Sequence, residues 1–141
     1  MGDDELRAFY ERRRDCWNRR DVAGLTAGHA ADGVVSSPMF GRIQGRDRIE
    51  VSYRSLFEVF PDFQLELEPP IIDGDRVAQA FVIRATHRGD FMGFEGTGRR
   101  VEMPGASFAT VRDGLIAEER RVYDFTGLLT RIGVLKTRPA R

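Results

Sequence analysis

The chain has 141 residues, the length of one domain, and its 22 basic residues balance 22 acidic ones, so the formal net charge is zero. Zero net charge argues against nucleic-acid binding, which usually requires a basic surface. The acidic segment Met1 to Glu5 is not followed by an apolar stretch, and no run approaches membrane-spanning length. We therefore expect one domain over residues 1–141 in a soluble, cytoplasmic protein that binds neither nucleic acid nor membrane. Lysine occurs only at Lys136, a bias typical of arginine-rich bacterial proteomes.

The cysteine and histidine content limits the redox and metal chemistry of the chain. Cys16 is the single cysteine, so no internal disulfide can form, and we expect a small, partly buried apolar residue there. His29 and His87 are far apart and lack a carboxylate pattern typical of a metal site, so we predict no metal. We interpret His29 as a structural residue.

Helical periodicity dominates the first 60 residues. Leu6, Phe9, Tyr10, Arg13 and Trp17 recur at the spacing of one helix face. The predicted elements in chain order are helices over residues 3–18 and 21–31, a strand over residues 34–37, a turn over residues 41–45 and a helix over residues 46–60.

After Asp62 the spacing of apolar residues changes from the helical period to every second residue, as expected for strands. The predicted elements are strands over residues 63–68, 76–91, 100–111 and 115–123, then a helix over residues 125–132. Asp73-Gly74-Asp75 and Asp113-Gly114 predict hairpin turns, and Pro104-Gly105 predicts a bulge. Helices followed by a strand meander indicate the α+β class. We expect N-terminal helices packed on a strongly curved antiparallel sheet that forms a cone with an internal pocket.

Short motifs along nearly the whole chain carry a resemblance to a known family. In order they are Trp17-Asn18-Arg19-Arg20-Asp21, Ala31-Asp32-Gly33-Val34, Phe60-Pro61-Asp62, Thr86-His87-Arg88-Gly89, Gly96-Thr97-Gly98-Arg99, Asp113-Gly114-Leu115-Ile116 and Tyr123-Asp124 with Leu128-Leu129. In this order the chain resembles the SnoaL-like polyketide cyclases of the nuclear transport factor 2-like, or cystatin-like α+β barrel, superfamily.

The resemblance implies a cofactor-independent enzyme. The cyclases of this family close a ring by intramolecular aldol condensation, without metal or cofactor. The resemblance also implies that Asp124 is the acid–base residue. In the cyclases a histidine on the preceding central strand supports that carboxylate, whereas Arg100–Val111 contains no histidine.

Asp124 has two readings from its position alone. A carboxylate in a dry pocket has a raised pKa and can act as a general base. An aspartate directly before a helix is also a preferred N-cap. His87 shares the strand parity of Phe81 and Ile83, so it is either a partner of Asp124 in proton transfer or a half-buried histidine bonded to backbone.

Aromatic and sulfur-containing side chains exceed what a minimal core needs, and they are either core residues or walls of a ligand pocket. The candidate substrate-binding residues are Trp17, Tyr53, Phe57, Phe91, Met92, Phe94, Met103, Phe108 and Thr110. The apolar loop Phe91 to Phe94 predicts a pocket lid or a dimer contact.

The leading hypothesis is therefore a cyclase- or isomerase-like enzyme that acts on a hydrophobic, carbonyl-bearing, polyketide-like small molecule. One alternative is a non-catalytic ligand-binding or assembly module on the same fold. Another is an epoxide hydrolase-like enzyme, which would need two carboxylates around an arginine, for example Asp124 with Arg84 or Arg120. We expect a homodimer formed through the outer face of the sheet.

Overall fold

The computed structural model describes residues 1–136 together with Arg138 and Ala140. The expected domain, residues 1–141, also includes Thr137, Pro139 and Arg141, which lie outside the described residues. The elements in chain order are α1 (Asp3–Arg19), α2 (Val22–Ala27), β1 (His29–Ser37), β2 (Gly41–Gln44), α3 (Arg46–Val59), β3 (Gln64–Leu67), β4 (Ile71–Asp73), β5 (Arg76–Thr86), β6 (Arg100–Arg112), β7 (Leu115–Tyr123) and α4 (Phe125–Arg131).

Helix α1 forms where the apolar spacing predicted it. Its buried residues are Leu6, Phe9, Tyr10, Arg13 and Trp17, a single stripe along one face. Asp3, Asp4 and Glu5 occupy the first turn, where acidic side chains interact favourably with the positive end of the helix dipole. The helix ends at Arg19, and the C-cap residue Arg20 adopts the left-handed conformation with φ 54°.

Seven strands form one curled, open sheet with the order β2-β1-β7-β6-β5-β3, and β4 pairs with the other end of β5. The α+β class is thus confirmed. The expected all-antiparallel sheet is corrected at one point, because β1 runs parallel to β7. The hairpins β5–β6 and β6–β7 are antiparallel.

Several element boundaries differ from the sequence prediction because strand pairing extends or ends them. The second helix ends at Ala27 instead of Ala31, since the Gly28 carbonyl accepts a hydrogen bond from the Ile116 N–H at 2.8 Å and the chain continues as β1. The predicted turn over residues 41–45 contains β2, which pairs with β1. Strand β5 ends at Thr86 instead of Phe91. The N–H groups that follow, at Arg88 and Gly89, donate to the Val59 carbonyl.

The bulge predicted at Pro104-Gly105 is wrong. The register between β5 and β6 runs without interruption from Arg76 opposite Thr110 to Thr86 opposite Arg100. Glycine is required at position 105 for another reason, since a Cβ there would lie 2.6 Å from the ring of Phe81.

The actual bulge lies between β6 and β7. Thr110 pairs with Glu118 and Val111 with Ile116, so Ala117 is left out of the register. Because side chains alternate along a strand, the extra residue reverses which parity faces inward. Ile116 is buried before the bulge, whereas Glu119 is buried after it and Val122 is 43% exposed.

The helices and the concave face of the sheet enclose the main hydrophobic core. Trp17, Ile49 and Tyr53 from the helices pack there with Phe81 and Met103 of the sheet. A smaller cluster places Leu6, Phe9 and Tyr10 of α1 against β5, β6 and β7. No helix within the described part of the chain is long and apolar enough to cross a membrane.

Candidate functional site

An interior cavity lies between the helices and the concave face of the sheet. Most of its wall is apolar, with Trp17, Met39, Phe60, Phe81 and Met103 among the lining residues. The cavity has a volume of about 60 Å³, several times the minimum that one bound water requires. The cavity is therefore a suitable place for the apolar body of a small molecule.

One end of this cavity is polar and charged. Tyr10 and Arg13 reach it from α1, and Glu119 and Arg121 reach it from β7. Arg13 is 5% exposed and Glu119 is 4% exposed, so both charges are removed from bulk water. Buried charges of this kind are costly unless they are paired and hydrogen-bonded.

The hydroxyl of Tyr53 connects the charged residues. It lies 3.0 Å from Nη2 of Arg13, 2.8 Å from Nη2 of Arg121 and 2.7 Å from Nε2 of His29. A phenol oxygen has two acceptor sites, and the two guanidinium groups can only donate, so they occupy both. The hydroxyl proton is then donated to His29, which must present an unprotonated Nε2.

His29 is consequently a neutral imidazole with its proton on Nδ1. Burial, reinforced by the charge of Arg13, lowers the pKa of His29 to about 3. Its Nδ1 is buried and has no hydrogen-bond partner among the described residues. The ring therefore serves as an acceptor for Tyr53 over the whole physiological pH range.

Glu119 and Arg121 form a buried ion pair on β7, with Oε2 of Glu119 2.6 Å from Nε of Arg121. Burial by itself raises the pKa of Glu119, but the charges of Arg121 and Arg13 outweigh it, so the pKa is lowered overall. The Arg121 guanidinium lies 5.2 Å from the ring centroids of both Trp17 and Tyr53, at cation–π distance. Glu119 is thus held ionised and oriented beside the cavity.

Tyr10 supplies a polar group that the protein leaves unpaired. Its hydroxyl is buried and has no hydrogen-bond partner among the described residues. Burial raises the pKa of Tyr10, and the nearby carboxylate of Glu119 raises it further. The hydroxyl therefore stays protonated and can donate a hydrogen bond to a molecule in the cavity.

Asp124 lies outside this cavity. Its Oδ1 accepts a hydrogen bond from the Gly127 N–H at 2.8 Å, and it is the N-cap of α4. Asp21 caps α2 through the Gly24 N–H in the same Asp-x-x-Gly pattern. Asp124 itself is exposed. These contacts match the cap reading, and its acid–base role stays an untested prediction.

His87 is fully buried at the end of β5, where its Nδ1 accepts from the Thr97 N–H at 3.3 Å and lies 3.0 Å from Thr97 Oγ1. The centroid of its ring lies 6.3 Å from the ring centroid of Phe60. His87 does not line the cavity. Among the described contacts His87 makes none with Asp124, so the structure does not bring the predicted pair together.

The candidate substrate-binding residues separate into three groups. Trp17 and Met103 line the cavity. Three others do not line it and are buried or partly buried: Tyr53 in the charged network, Phe57 against Trp17 and Phe63, and Phe91 against Phe125. The remaining residues are at the surface, with Met92 and Phe94 in an exposed loop and Phe108 and Thr110 on the outer face of the sheet.

Sequence reasoning missed most of the charged network. A signal for Arg13 was present, because this arginine sits in the apolar stripe of α1. Glu119 and Arg121 were missed because the bulge at Ala117 reverses the inward-facing parity of β7, and no local signal in the sequence indicates it. His29 was interpreted as structural on a helix, whereas it begins β1 and bonds to Tyr53.

Comparisons with known proteins agree with this fold. AclR, a candidate hydroxylase from Streptomyces galilaeus, is 30% identical with a TM-score of 0.84, over 98% of this chain and 87% of that one. IdmH, a candidate polyketide cyclase from Streptomyces antibioticus, is 27% identical with a TM-score of 0.75, over 89% of this chain and 96% of that one. TsrD from Streptomyces laurentii shares the fold at 19% identity and a TM-score of 0.82, over 96% of this chain and 99% of that one.

No curated protein matches the chain significantly. The family model for the SnoaL-like polyketide cyclases matches residues 7–132. That range contains the charged end of the cavity and all elements from most of α1 to α4. The chain therefore belongs to the SnoaL-like polyketide cyclase family.

Proposed function

We propose that this protein is a cofactor-independent acid–base enzyme that acts on a hydrophobic, carbonyl-bearing small molecule in the interior cavity. Glu119 is its proton-transfer residue, and the reaction is of the cyclase or isomerase type. The observation that carries the proposal is the buried, oriented carboxylate of Glu119 at the polar end of an otherwise apolar cavity.

The chemistry requires a base and a group that stabilises the negative charge formed on oxygen. Removal of a proton from a carbon next to a carbonyl produces an enolate. Arg13, Arg121 and Tyr10 carry N–H and O–H groups at the same end of the cavity as Glu119. Donors fixed in a site of low polarity stabilise such an oxyanion strongly, so even a weak carboxylate base can suffice.

The apolar wall supports the same reaction. It accommodates the body of a polyketide-like molecule and keeps bulk water away from the enolate. Relatives named as candidate polyketide cyclases share the fold and, at 27% identity, part of the sequence. Substrates of that class carry the required carbonyl-activated carbons.

A simple ketone can test this proposal before the natural substrate is known. We expect the protein to accelerate exchange of the α-protons of tetralone for deuterium in D2O, followed by NMR. Glu119→Gln should reduce the enzymatic rate by roughly 100-fold or more. Glu118→Gln is the matched control, because its neighbouring carboxylate is exposed on the other face of β7. Equal rates in both variants would refute the role of Glu119.

The alternative functions receive different support. Exchange no faster than in buffer, with tetralone bound, would favour a ligand-binding module. Epoxide hydrolase chemistry needs two carboxylates around an arginine. Of the acidic side chains that the structure describes, Glu119 alone lines the cavity, so the geometry does not favour that reaction.

We also propose that two copies associate through the outer face of the sheet. The central residues of this face are small or apolar, namely Ala78, Ala80, Val82, Pro104, Ala106, Phe108 and Val122. Phe108 is 40% exposed and Val122 is 43% exposed. Exposed apolar patches on a sheet are typical of subunit interfaces.

A further inference from the structure

The charges at the polar end of the cavity do not balance. Two guanidinium groups, Arg13 and Arg121, face one carboxylate, Glu119. The remaining titratable groups around them are the phenols Tyr10, Tyr53 and Tyr123, and the neutral imidazole of His29. Arg46 donates to the backbone carbonyl of His29 at 2.7 Å, and as a cation it adds positive rather than negative charge.

Arg13 is the cation that no carboxylate contacts directly. Its described bonds go to the Leu25 carbonyl at 3.0 Å and to the Tyr53 hydroxyl at 3.0 Å, both of which are uncharged acceptors. No carboxylate of the described residues lies within 4.0 Å of its guanidinium, whereas Arg121 has Glu119 at 2.6 Å. A buried cation without a carboxylate in contact is a costly arrangement, and such groups are candidates for a functional role.

We infer that the cavity binds a ligand that carries one carboxylate group on an apolar body. This inference rests on the proposed function and names the charge class of its substrate. The ligand supplies the missing counter-charge for Arg13 and Arg121.

The unpaired hydroxyl of Tyr10 fits the same ligand. Tyr10 is 5% exposed and lines the cavity, and its buried hydroxyl has no partner among the described residues. An oxyanion accepts hydrogen bonds from hydroxyl and guanidinium groups at once, which a neutral hydrocarbon cannot do. The ligand would thus satisfy the charge of Arg13 and the hydroxyl of Tyr10 together.

A pair of ligands that differ in charge but hardly in shape can test the inference. Phenylacetate and phenylacetamide share the apolar ring, and neither is a substrate for proton abstraction under mild conditions. Trp17 is the single tryptophan and lines the cavity, so its fluorescence reports occupancy. We expect phenylacetate to bind at least tenfold more tightly than phenylacetamide at moderate ionic strength.

Two variants give the sign of the electrostatic effect. Glu119→Gln removes the only carboxylate that the described residues bring to the cavity, and it should strengthen phenylacetate binding at least fivefold, with little change for phenylacetamide. Arg13→Met should weaken phenylacetate at least tenfold and leave phenylacetamide within twofold. Circular dichroism tests whether each variant is folded. If Arg13→Met does not fold, Tyr10→Phe is the milder substitution, and it should weaken phenylacetate binding by about threefold.

Specific outcomes would overturn the inference. Equal binding of the acid and the amide by the native protein would do so. The inference would also be overturned if the free protein showed a tyrosinate absorption band at neutral pH and this band disappeared in Tyr53→Phe. The network would then carry its own negative charge and would need none from a ligand. A failure of this inference can be distinguished from a failure of the proposed function. Tetralone exchange depends on Glu119 as a base and does not require an anionic ligand.

Discussion

The hydroxyl of Tyr53 lies 2.7 Å from Nε2 of His29, and this short contact fixes the protonation of both groups. Because Arg13 and Arg121 occupy the acceptor sites of the hydroxyl, its proton goes to the histidine. One phenol on α3 therefore connects α1, β1 and β7. It also keeps the two guanidinium groups in place at the end of the cavity.

Removal of this hydroxyl should be strongly destabilising. In Tyr53→Phe two buried guanidinium groups and one imidazole lose a partner, so we expect the free energy of unfolding to fall by about 3 kcal/mol. Tyr123→Phe is the control, because the Tyr123 hydroxyl accepts one described bond, from the Met39 N–H at 3.2 Å; its loss should be about 1 kcal/mol. Urea denaturation measures both, and equal losses would contradict the central position of Tyr53.

His29 should make stability depend on pH. Its folded pKa of about 3 lies below the ordinary value of 6.5, so the unfolded chain binds a proton between these values that the folded protein does not. The stabilisation is complete above pH 6.5 and decreases as the pH falls towards 3, with a slope of about 1.4 kcal/mol per pH unit. His29→Gln should remove this component of the slope in urea denaturation at a series of pH values. An unchanged slope would show that His29 protonates normally in the folded state.

Glu119 should remain a base at acidic pH. Burial opposes its ionisation, but Arg121 and Arg13 lower its pKa below the ordinary value of 4.5. The rate of tetralone exchange should therefore stay constant from neutral pH down to that value, and should decline only below it. The pH profile of kcat/KM measures this pKa in the free enzyme. A decline that begins above pH 4.5 would assign the base to another group.

Asp124 allows its two roles to be separated. Asparagine caps a helix as well as aspartate does but cannot accept a proton, so Asp124→Asn should retain both stability and exchange activity if the residue is only a cap. Asp124→Ala should lose about 1 kcal/mol of stability, because the Gly127 N–H loses its acceptor. Chemical denaturation and the exchange assay are measured on the same samples. A stable but inactive Asp124→Asn would instead establish the acid–base role that the family resemblance implies.

The proposed dimer can be tested with two valines of similar exposure. Val122 is 43% exposed on the outer face of the sheet, and Val51 is 56% exposed on α3. We expect Val122→Asp to convert the dimer to a monomer in size-exclusion chromatography with light scattering, because a charge would be buried at the interface. Val51→Asp should leave the dimer intact. A native protein that is already monomeric at high micromolar concentration would contradict the proposal.

The sequence by itself determined the local structure. The apolar stripe of α1 and the Asp-Gly turn before β7 each depend on residues close together in the chain, so spacing and turn chemistry were enough to predict them. The family resemblance located the fold for a related reason, since it combined many such local motifs in one order.

Only the tertiary structure decided the charged site. Glu119 and Arg121 face the cavity because Ala117 bulges out of the β6–β7 register. His29 reaches Tyr53 because β1 pairs in parallel with β7. Both features come from hydrogen bonds between segments far apart in sequence, and a single extra residue in one strand reverses the face of every side chain after it. Periodicity within one strand cannot detect that change, and for this reason the site could not be found from the sequence.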